Sequence, residues 1–274
     1  MKEGHSEYEG IKFDPHGSER VSDALTIEEA LQIDINSKPF TVIMRTPGNE
    51  NEMVRGLLYT EDIYKGDQNL DLEVVSKSDL GHITHVNVEI QEEDLGKGYL
   101  NSRTMLSVSS CGICGKRELG DLAVSGKKLD DHEVVELQQI MEMFEKMELA
   151  QQTFKTTGGS HCASIFDDEC RLLAAMEDIG RHNAVDKAIG ATLISGELRN
   201  AKCILVSGRV SYEIVTKAFM AKIQFLAAVS APSTLAVDYA KELGLTLFAF
   251  SRENKTTCYA HPQRVLDKNK KEVA

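Results

Sequence analysis

In the stretch VSSCGICGKRE, residues 108–118, Cys111 and Cys114 are separated by two residues, each is followed by a glycine, and Lys116 and Arg117 come next. This spacing serves a zinc half-site, a redox disulfide or a sulfur carrier. A structural zinc site needs four ligands, usually as two close pairs. No second CxxC occurs, and only His161 with Cys162 could complete such a set in space. A thioredoxin-like disulfide would open a helix, whereas Gly112, Gly115 and the following KRELGDLAVSG make a poor first turn. A sulfur carrier needs a thiolate that reaches both donor and acceptor, and glycines on both sides of Cys114 suit a swinging segment. A free thiol of pKa about 8.5 is only about 3% ionised at pH 7, and a shift to about 7.5 beside Lys116 and Arg117 would raise that to roughly a quarter. A second thiol at this spacing could attack a persulfide on the first, closing a disulfide and releasing sulfide. A surface loop with incidental cysteines is the plainer alternative, and the spacing alone leaves all four readings open.

Two further patches concentrate reactive residue types. The first joins TTGGSH, residues 156–161, to EDIGRHNAVDK, residues 177–187. Gly158 and Gly159 would let backbone approach a ligand, while Glu177, Asp178, Arg181, His182, Asp186 and Lys187 could either shape a pocket or satisfy one another as ion pairs. The second is a set of three loops, each expected after an apolar strand: Ser207, Gly208, Arg209 and Ser211; then Ser230 and Ser233; then Phe250, Ser251 and Arg252. Hydroxyl residues at helix starts with two arginines make a phosphate seat, or else ordinary helix caps with solvated arginines. Neither a G-x-x-x-x-G-K-[ST] loop nor a GxGxxG is present, which argues against nucleotide hydrolysis and the usual dinucleotide fingerprint.

The elements that must hold these residues fall into two parts. Residues 21–125 read as a β-rich domain ending in the cysteine loop. Leu31, Ile33 and Ile35 alternate with polar residues, a turn falls at Asn36 to Lys38, and Phe40, Val42 and Met44 resume the alternation as a hairpin. A short helix is expected through residues 52–63, then strands at 70–75, 86–90 and 104–108. A helix through DDHEVVELQQIMEMFEKMELAQQ is expected to start at Asp130 or Asp131, to place Val134, Leu137, Met141, Phe144 and Met147 on one core-facing side, and to end before KTTGGS. Residues 126–266 then form an α/β domain: strands 160–166 and 171–177 joined at Asp167 to Glu169, a helix over 182–195, and strands at 203–207, 225–230 and 245–250 separated by helices over 212–222 and 233–243. Short apolar strands separated by helices predict parallel pairing through crossovers, with ligands beyond the carboxyl ends of the strands. Residues 1–20 are expected to be disordered, and 267–274 to form a polar tail.

Composition narrows the function class. With 274 residues and 42% hydrophobic side chains the chain can bury a sizeable core. A formal charge of −12 opposes non-specific binding to nucleic acid and to anionic membranes, so an anionic ligand must find a local basic seat. No apolar run approaches a membrane span or a signal peptide, which points to the cytoplasm. Six scattered cysteines do not form a secreted disulfide framework, and Cys203, inside KCILVSG, reads as a buried hydrophobe.

Taken in order, SSCGICG, TTGGSHCA, EDIGRHNAVDKAIG, SGRVSYEIVTKA and SAPSTLAVDYAKELGLTLFAFSR closely resemble the signature blocks of the FdhD family, sulfurtransferases required for formate dehydrogenase activity. INSKPFTVIMRTP and RGLLYTEDI match more weakly, and the resemblance runs from about Glu28 to Val265. It implies an α/β (α+β overall) fold whose carboxyl half is cytidine-deaminase-like, with a mixed sheet and flanking helices, and a homodimer. It also implies transfer of persulfide sulfur from a cysteine desulfurase to the molybdenum or tungsten of a bis-molybdopterin guanine dinucleotide, bound as substrate, with no permanently bound metal. On that resemblance Cys111 carries the persulfide and Cys114 assists or resolves. Ser207, Gly208, Arg209, Ser230, Ser233, Phe250 and Arg252 hold phosphates or guanine, and Gly158, Gly159, His161, Arg181 and His182 shape the cofactor pocket. Departures from the pattern are Lys222 and Ala249, where glycine is expected, and the turn DDEC, which lacks one. Deamination is not implied, because the H-x-E and P-C-x-x-C zinc signature is missing.

Overall fold

The computed structural model describes residues 4–102, 127–129 and 132–267, with the side chains of 100–102 excepted. Cys111, Cys114 and the strand expected at 104–108 therefore lie outside the described residues. So do Asp130 and Asp131.

The carboxyl half is a three-layer sandwich. Its six-stranded sheet runs β13-β12-β11-β10-β8-β9, from β8 (His161–Phe166), β9 (Leu172–Asp178), β10 (Cys203–Val206), β11 (Phe225–Ala228), β12 (Thr246–Arg252) and β13 (Lys255–Ala260). β10, β11 and β12 pair in parallel, while β8, β9 and β13 pair antiparallel to their neighbours. Alternation along the strands sorts side chains onto two faces. Ile165, Ile204, Val206, Leu226 and Leu247 pack under α5 (Arg181–Ile194), α6 (Tyr212–Met220) and α7 (Thr234–Leu243). Cys162, Phe166, Leu205, Phe225 and Phe248 face the other way, onto α3 (Leu137–Ala150). Cys203 is fully buried there, as its apolar run predicts.

In the amino half a sheet ordered β4-β3-β6-β5 is built from β3 (Glu29–Ile35), β4 (Lys38–Arg45), β5 (Leu72–Lys77) and β6 (Ile83–Val88), and it packs on α1 (Glu50–Thr60). Asn36 and Ser37 take left-handed backbone at the β3–β4 turn. A short α2 (Lys97–Ser102) precedes the undescribed residues, and β7 (Val135–Glu136) pairs in parallel with β14 (Val265–Leu266). The halves meet where α1 crosses α5 with glycines in contact: a Cβ on Gly56 would stand 1.8 Å from the Asp186 carbonyl oxygen, and one on Gly190 1.7 Å from that of Glu52. Only hydrogen side chains allow that approach.

Four expectations are corrected. Residues 5–20, expected to be disordered, form with 21–26 a hairpin of β1 (His5–Asp14) and β2 (Gly17–Thr26), fixed by ten consecutive residue pairs and by a Thr26–Thr157 hydroxyl contact of 2.7 Å. Its polar composition hid it, because Tyr8, Ile11 and Phe13 stay exposed and give no one-sided pattern. α3 starts at Leu137 rather than near residue 131, since Glu136 and Gln139 form a reciprocal capping box. Its buried face is Ile140, Met143 and Met147, and Val134 is exposed. Beyond a break at Gln151, α4 (Gln152–Thr157) occupies most of the span between the expected end of that helix and the strand expected from residue 160, and it ends on Gly158 in left-handed conformation.

Candidate functional site

The carboxyl ends of β10, β11 and β12 open onto a cavity of about 670 Å³ lying between the sheet and α3. One wall comes from Ser207, Val229, Ser251 and Arg252, which follow or end those strands. A register shift between Ala249 and Arg252 interrupts the β12–β13 pairing at this last segment, and Phe250 within it takes a φ of 54°, a region bulky residues rarely enter. His161 and Ser160 form the floor, and Gly158 and Gly159 one rim. The opposite wall is Met141, Phe144 and Met147 of α3. Sequence periodicity assigned those three to the core. A helix face that lines a cavity carries the same apolar period as one that fills it, so pattern alone does not separate the two.

A basic shelf adjoins this cavity at His161. A Cβ on Gly208 would lie 3.2 Å from His161 Nδ1 and 3.3 Å from Arg181 Cβ, so the three residues are in contact. Burial, and then the charges of Arg181 and Arg209, hold the His161 imidazole below its ordinary pKa, so it is neutral at neutral pH. Arg209 is exposed. The Arg181 Nε is buried, with no hydrogen-bond partner among the described residues. α5 and α6 both start beside this shelf, at Gly180 and Ser211, without a side-chain cap bond. The Ser211 hydroxyl instead lies 3.2 Å from Nε2 of the buried His182, whose ring is also 3.9 Å from Glu213. Uncapped helix starts under three cationic or polarisable side chains favour an anion.

The plainer reading holds for several expected residues. Glu177 accepts hydrogen bonds from the Thr153 and Phe154 amides at 2.7 and 2.8 Å and from Ser160 Oγ, so it caps α4. Asp178 pairs with Lys187 at 2.7 Å and accepts from the Thr46 amide, while Asp186 pairs with Lys217 at 2.9 Å. These ion pairs are buried within the carboxyl half, and the halves are tied together where Lys187 donates to Thr46 O and Lys217 to Thr60 Oγ1 and Glu61. Burial works to lower the Lys217 pKa, but Asp186 and Glu61 outweigh it and hold the ammonium well above its usual range. Ser233 caps α7 by accepting from the Ala236 amide. Ser230, Ser233 and Phe250 do not line the cavity, and Phe250 is half exposed. The Gly158 and Gly159 amides donate to Phe154 O and Thr157 Oγ1, so these glycines contribute room, not donors.

Sequence reasoning missed Gln151, Phe154, Glu145, Glu148, Glu253 and Asn254, all of which line the cavity. A glutamine at a helix end carries no motif. The β12–β13 turn was read only as far as Arg252.

The model of the FdhD/NarQ family matches residues 26–266. The chain belongs to that family. Curated FdhD relatives named "Sulfur carrier protein FdhD" include one from Thermoplasma acidophilum, 39% identical over 251 residues that cover 89% of this chain and 88% of the relative. Another, from Mycobacterium tuberculosis, is 37% identical over 263 residues covering 89% and 92%. A solved structure from Desulfotalea psychrophila, provisionally described as a formate dehydrogenase accessory protein, superposes with a TM-score of 0.74 at 21% identity, covering 96% of this chain and 99% of the other. That likeness establishes the mixed α/β fold. Four of the five FdhD-like blocks fall on described residues, and each of them contributes to the cavity, its shelf or the ion pairs beneath. The fifth, SSCGICG, lies outside them. Among the described residues no group of three or more His, Cys, Asp or Glu is arranged to hold a metal ion, and no helix is long and apolar enough to cross a membrane.

Proposed function

We propose that this chain is a sulfur carrier acting in formate dehydrogenase maturation. On this reading Cys111 accepts sulfur from a cysteine desulfurase, and the protein delivers it to a molybdenum- or tungsten-bearing bis-molybdopterin guanine dinucleotide held as substrate. Family membership and the names of the relatives support the sulfur-carrier part. The observation that carries the acceptor part is the cavity at the strands' carboxyl ends beside an arginine shelf, in a chain of charge −12. Its volume falls within the roughly 300–1,000 Å³ of small-ligand clefts, which suits one guanosine diphosphate arm and not the whole substrate. The base enters between α3 and β12, and the phosphates meet His161, Arg181, Arg209 and Arg252. A cytidine-deaminase-like topology, a homodimer and a cytoplasmic location belong to the same proposal.

Loading begins when the Cys111 thiolate attacks the outer sulfur of the donor's persulfide. A new S–S bond forms at Cys111, the donor's S–S bond breaks, and the donor cysteine leaves as thiolate. In delivery the Cys114 thiolate attacks Cys111 Sγ, the persulfide bond breaks, and sulfide leaves toward the metal. The two thiols supply the two electrons as they close a disulfide, which a cellular dithiol reductant must reopen. Lys116 and Arg117 favour the thiolate.

The test is to incubate the protein with a cysteine desulfurase and cysteine and to weigh the peptide spanning residues 108–117. A gain of about 32 Da that survives in Cys114→Ala and vanishes in Cys111→Ala is expected. Absence of added sulfur on either thiol refutes the proposal.

A further inference from the structure

β5 closes one side of the amino-half sheet, whose order β4-β3-β6-β5 leaves its outer edge without a neighbour among the described strands. Such an edge presents a row of backbone donors and acceptors and is a template for another strand. Every residue from Glu73 to Lys77 is exposed. Val74 is 43% and Val75 51% exposed, and because successive side chains point to opposite faces, neither face of the strand is covered. The pairing with β6 is irregular only at Ser76. Leu72↔Val88, Glu73↔Asn87 and Val74↔Val86 before it and Lys77↔Ile83 after it keep one offset, and the Ser76 and Thr84 hydroxyls meet at 2.9 Å. No extra residue is inserted, so Glu73, Val75 and Lys77 share one face.

Open edges are commonly blunted by a lysine. Here the lysine is matched. Glu73 and Lys77 stand at equal distances on either side of Val75, so a second copy laid antiparallel with Val75 against Val75 sets each Glu73 opposite a Lys77. Charges of opposite sign directly across an antiparallel pair stabilise it, and like charges destabilise it. Glu73 already accepts from Asn87 Nδ2 at 3.2 Å through one oxygen, and a carboxylate has a second to offer. The same register sets Val74 opposite Ser76 and makes a closed two-fold contact in which one patch serves both copies. Continued outward it would bring Asp71 toward Asp79, but the chain leaves the sheet after Lys77, where the Ser78 amide donates to His82 O at 2.8 Å. We infer that β5 is a self-association edge, through which two copies of this chain join their four-stranded amino-half sheets into one continuous sheet. This gives a surface to the homodimer proposed above, and a dimer formed elsewhere would leave that proposal standing. A six-residue edge is about 20 Å long and buries less than the roughly 800 Å² per partner of a standard interface, so the expected affinity is micromolar.

The experiment is sedimentation velocity of the full chain over about 1 to 500 µM at low ionic strength, where exposed pairs are least screened. The samples are wild type, Glu73→Lys, Lys77→Glu, the variant carrying both substitutions, and an equimolar mixture of the two single variants. Wild type is expected to pass from monomer to dimer across that range. Each single reversal sets two like-charged pairs across the edge and weakens the dimer at least about tenfold. The variant carrying both returns to within about threefold of wild type. The mixture associates about tenfold more tightly than either component alone, because both cross-strand pairs between the two variants are again of opposite sign. All four side chains exchanged are exposed, so melting temperatures should move by no more than about 2 °C. A dimer of unchanged affinity in both single variants overturns the edge and leaves the homodimer standing, as does weakening that neither the combined variant nor the mixture rescues. No association of wild type at the highest concentration overturns the edge and the homodimer together.

Discussion

Sulfur delivered to this protein should load on Cys111 or Cys114 and on no described cysteine, and the environments of the other four set how large the contrast is. Cys162 is 2% exposed, and burial pushes its thiol up to about 12, with only a Ser164 contact working the other way. Burial also raises Cys203, Cys170 and Cys258. At pH 7.5 a thiol of pKa about 12 is ionised about three times in 10⁵, against about one in ten for a free thiol of pKa about 8.5. The ratio is about 3,000 before access is counted, and access widens it. The assay is a time course with iodoacetamide at pH 7.5, quenched and read by peptide mass for each cysteine. Cys111 and Cys114 should alkylate within minutes while Cys162 and Cys203 stay unmodified until the fold is opened with denaturant. If Cys162 alkylates within tenfold of the rate of Cys111 in the folded protein, it is neither buried nor a poor thiolate, and restriction of the sulfur to the CxxC segment loses its physical basis.

Three further outcomes follow from single positions. Gly190→Ala puts a Cβ within 1.7 Å of the Glu52 carbonyl oxygen and must force α1 off α5, so denaturant unfolding should show a loss of about 3 kcal/mol. Lys222→Gly should add about 0.5 kcal/mol by the same measurement: Lys222 sits at φ 61°, and relief of that strain exceeds the loss of its ammonium contact, 4.9 Å from the Phe219 ring centroid. His161 is held neutral by burial and by two arginines, and an anion in the cavity reverses that field and raises its pKa. GDP binding should therefore take up a proton and tighten as pH falls from 8 to 6, by an amount lost in His161→Asn and read by calorimetry in buffers of different ionisation heat. For the free protein the sign is opposite. A His whose folded pKa lies below its unfolded value of about 6.5 contributes stability that is present above that value and lost as pH falls through the folded one.

The carboxyl half was legible because its physics is local. CILV and FLAA are continuous apolar strands covered on both faces, and helices of matching length between them leave parallel pairing as the only short return path. The glycine departures were legible for a related reason. Lys222 and Cys170 both occupy left-handed backbone, where a side chain costs energy, whereas Ala249 lies in the buried β12 and nothing in its surroundings explains the expectation. What was hidden depends on tertiary context. The β1–β2 hairpin keeps its apolar residues on the surface, and β13, KTTCYA, is an edge strand whose inward face is the small Thr256, Cys258 and Ala260, too weakly apolar to stand out. Glu177 looked like a pocket residue because its type and position suit one, yet the helix it caps, α4, was not foreseen. Gln151 gave no signal at all.

The central claim is that the strands' carboxyl ends receive one guanosine diphosphate arm. A crystal of the full chain grown or soaked with GDP tests this most directly. The account predicts density for the base between Phe144 and the β12–β13 turn, with the phosphates toward His161, Arg181 and Arg252. Ordered GDP elsewhere on the molecule, with this cavity holding only solvent, would contradict it.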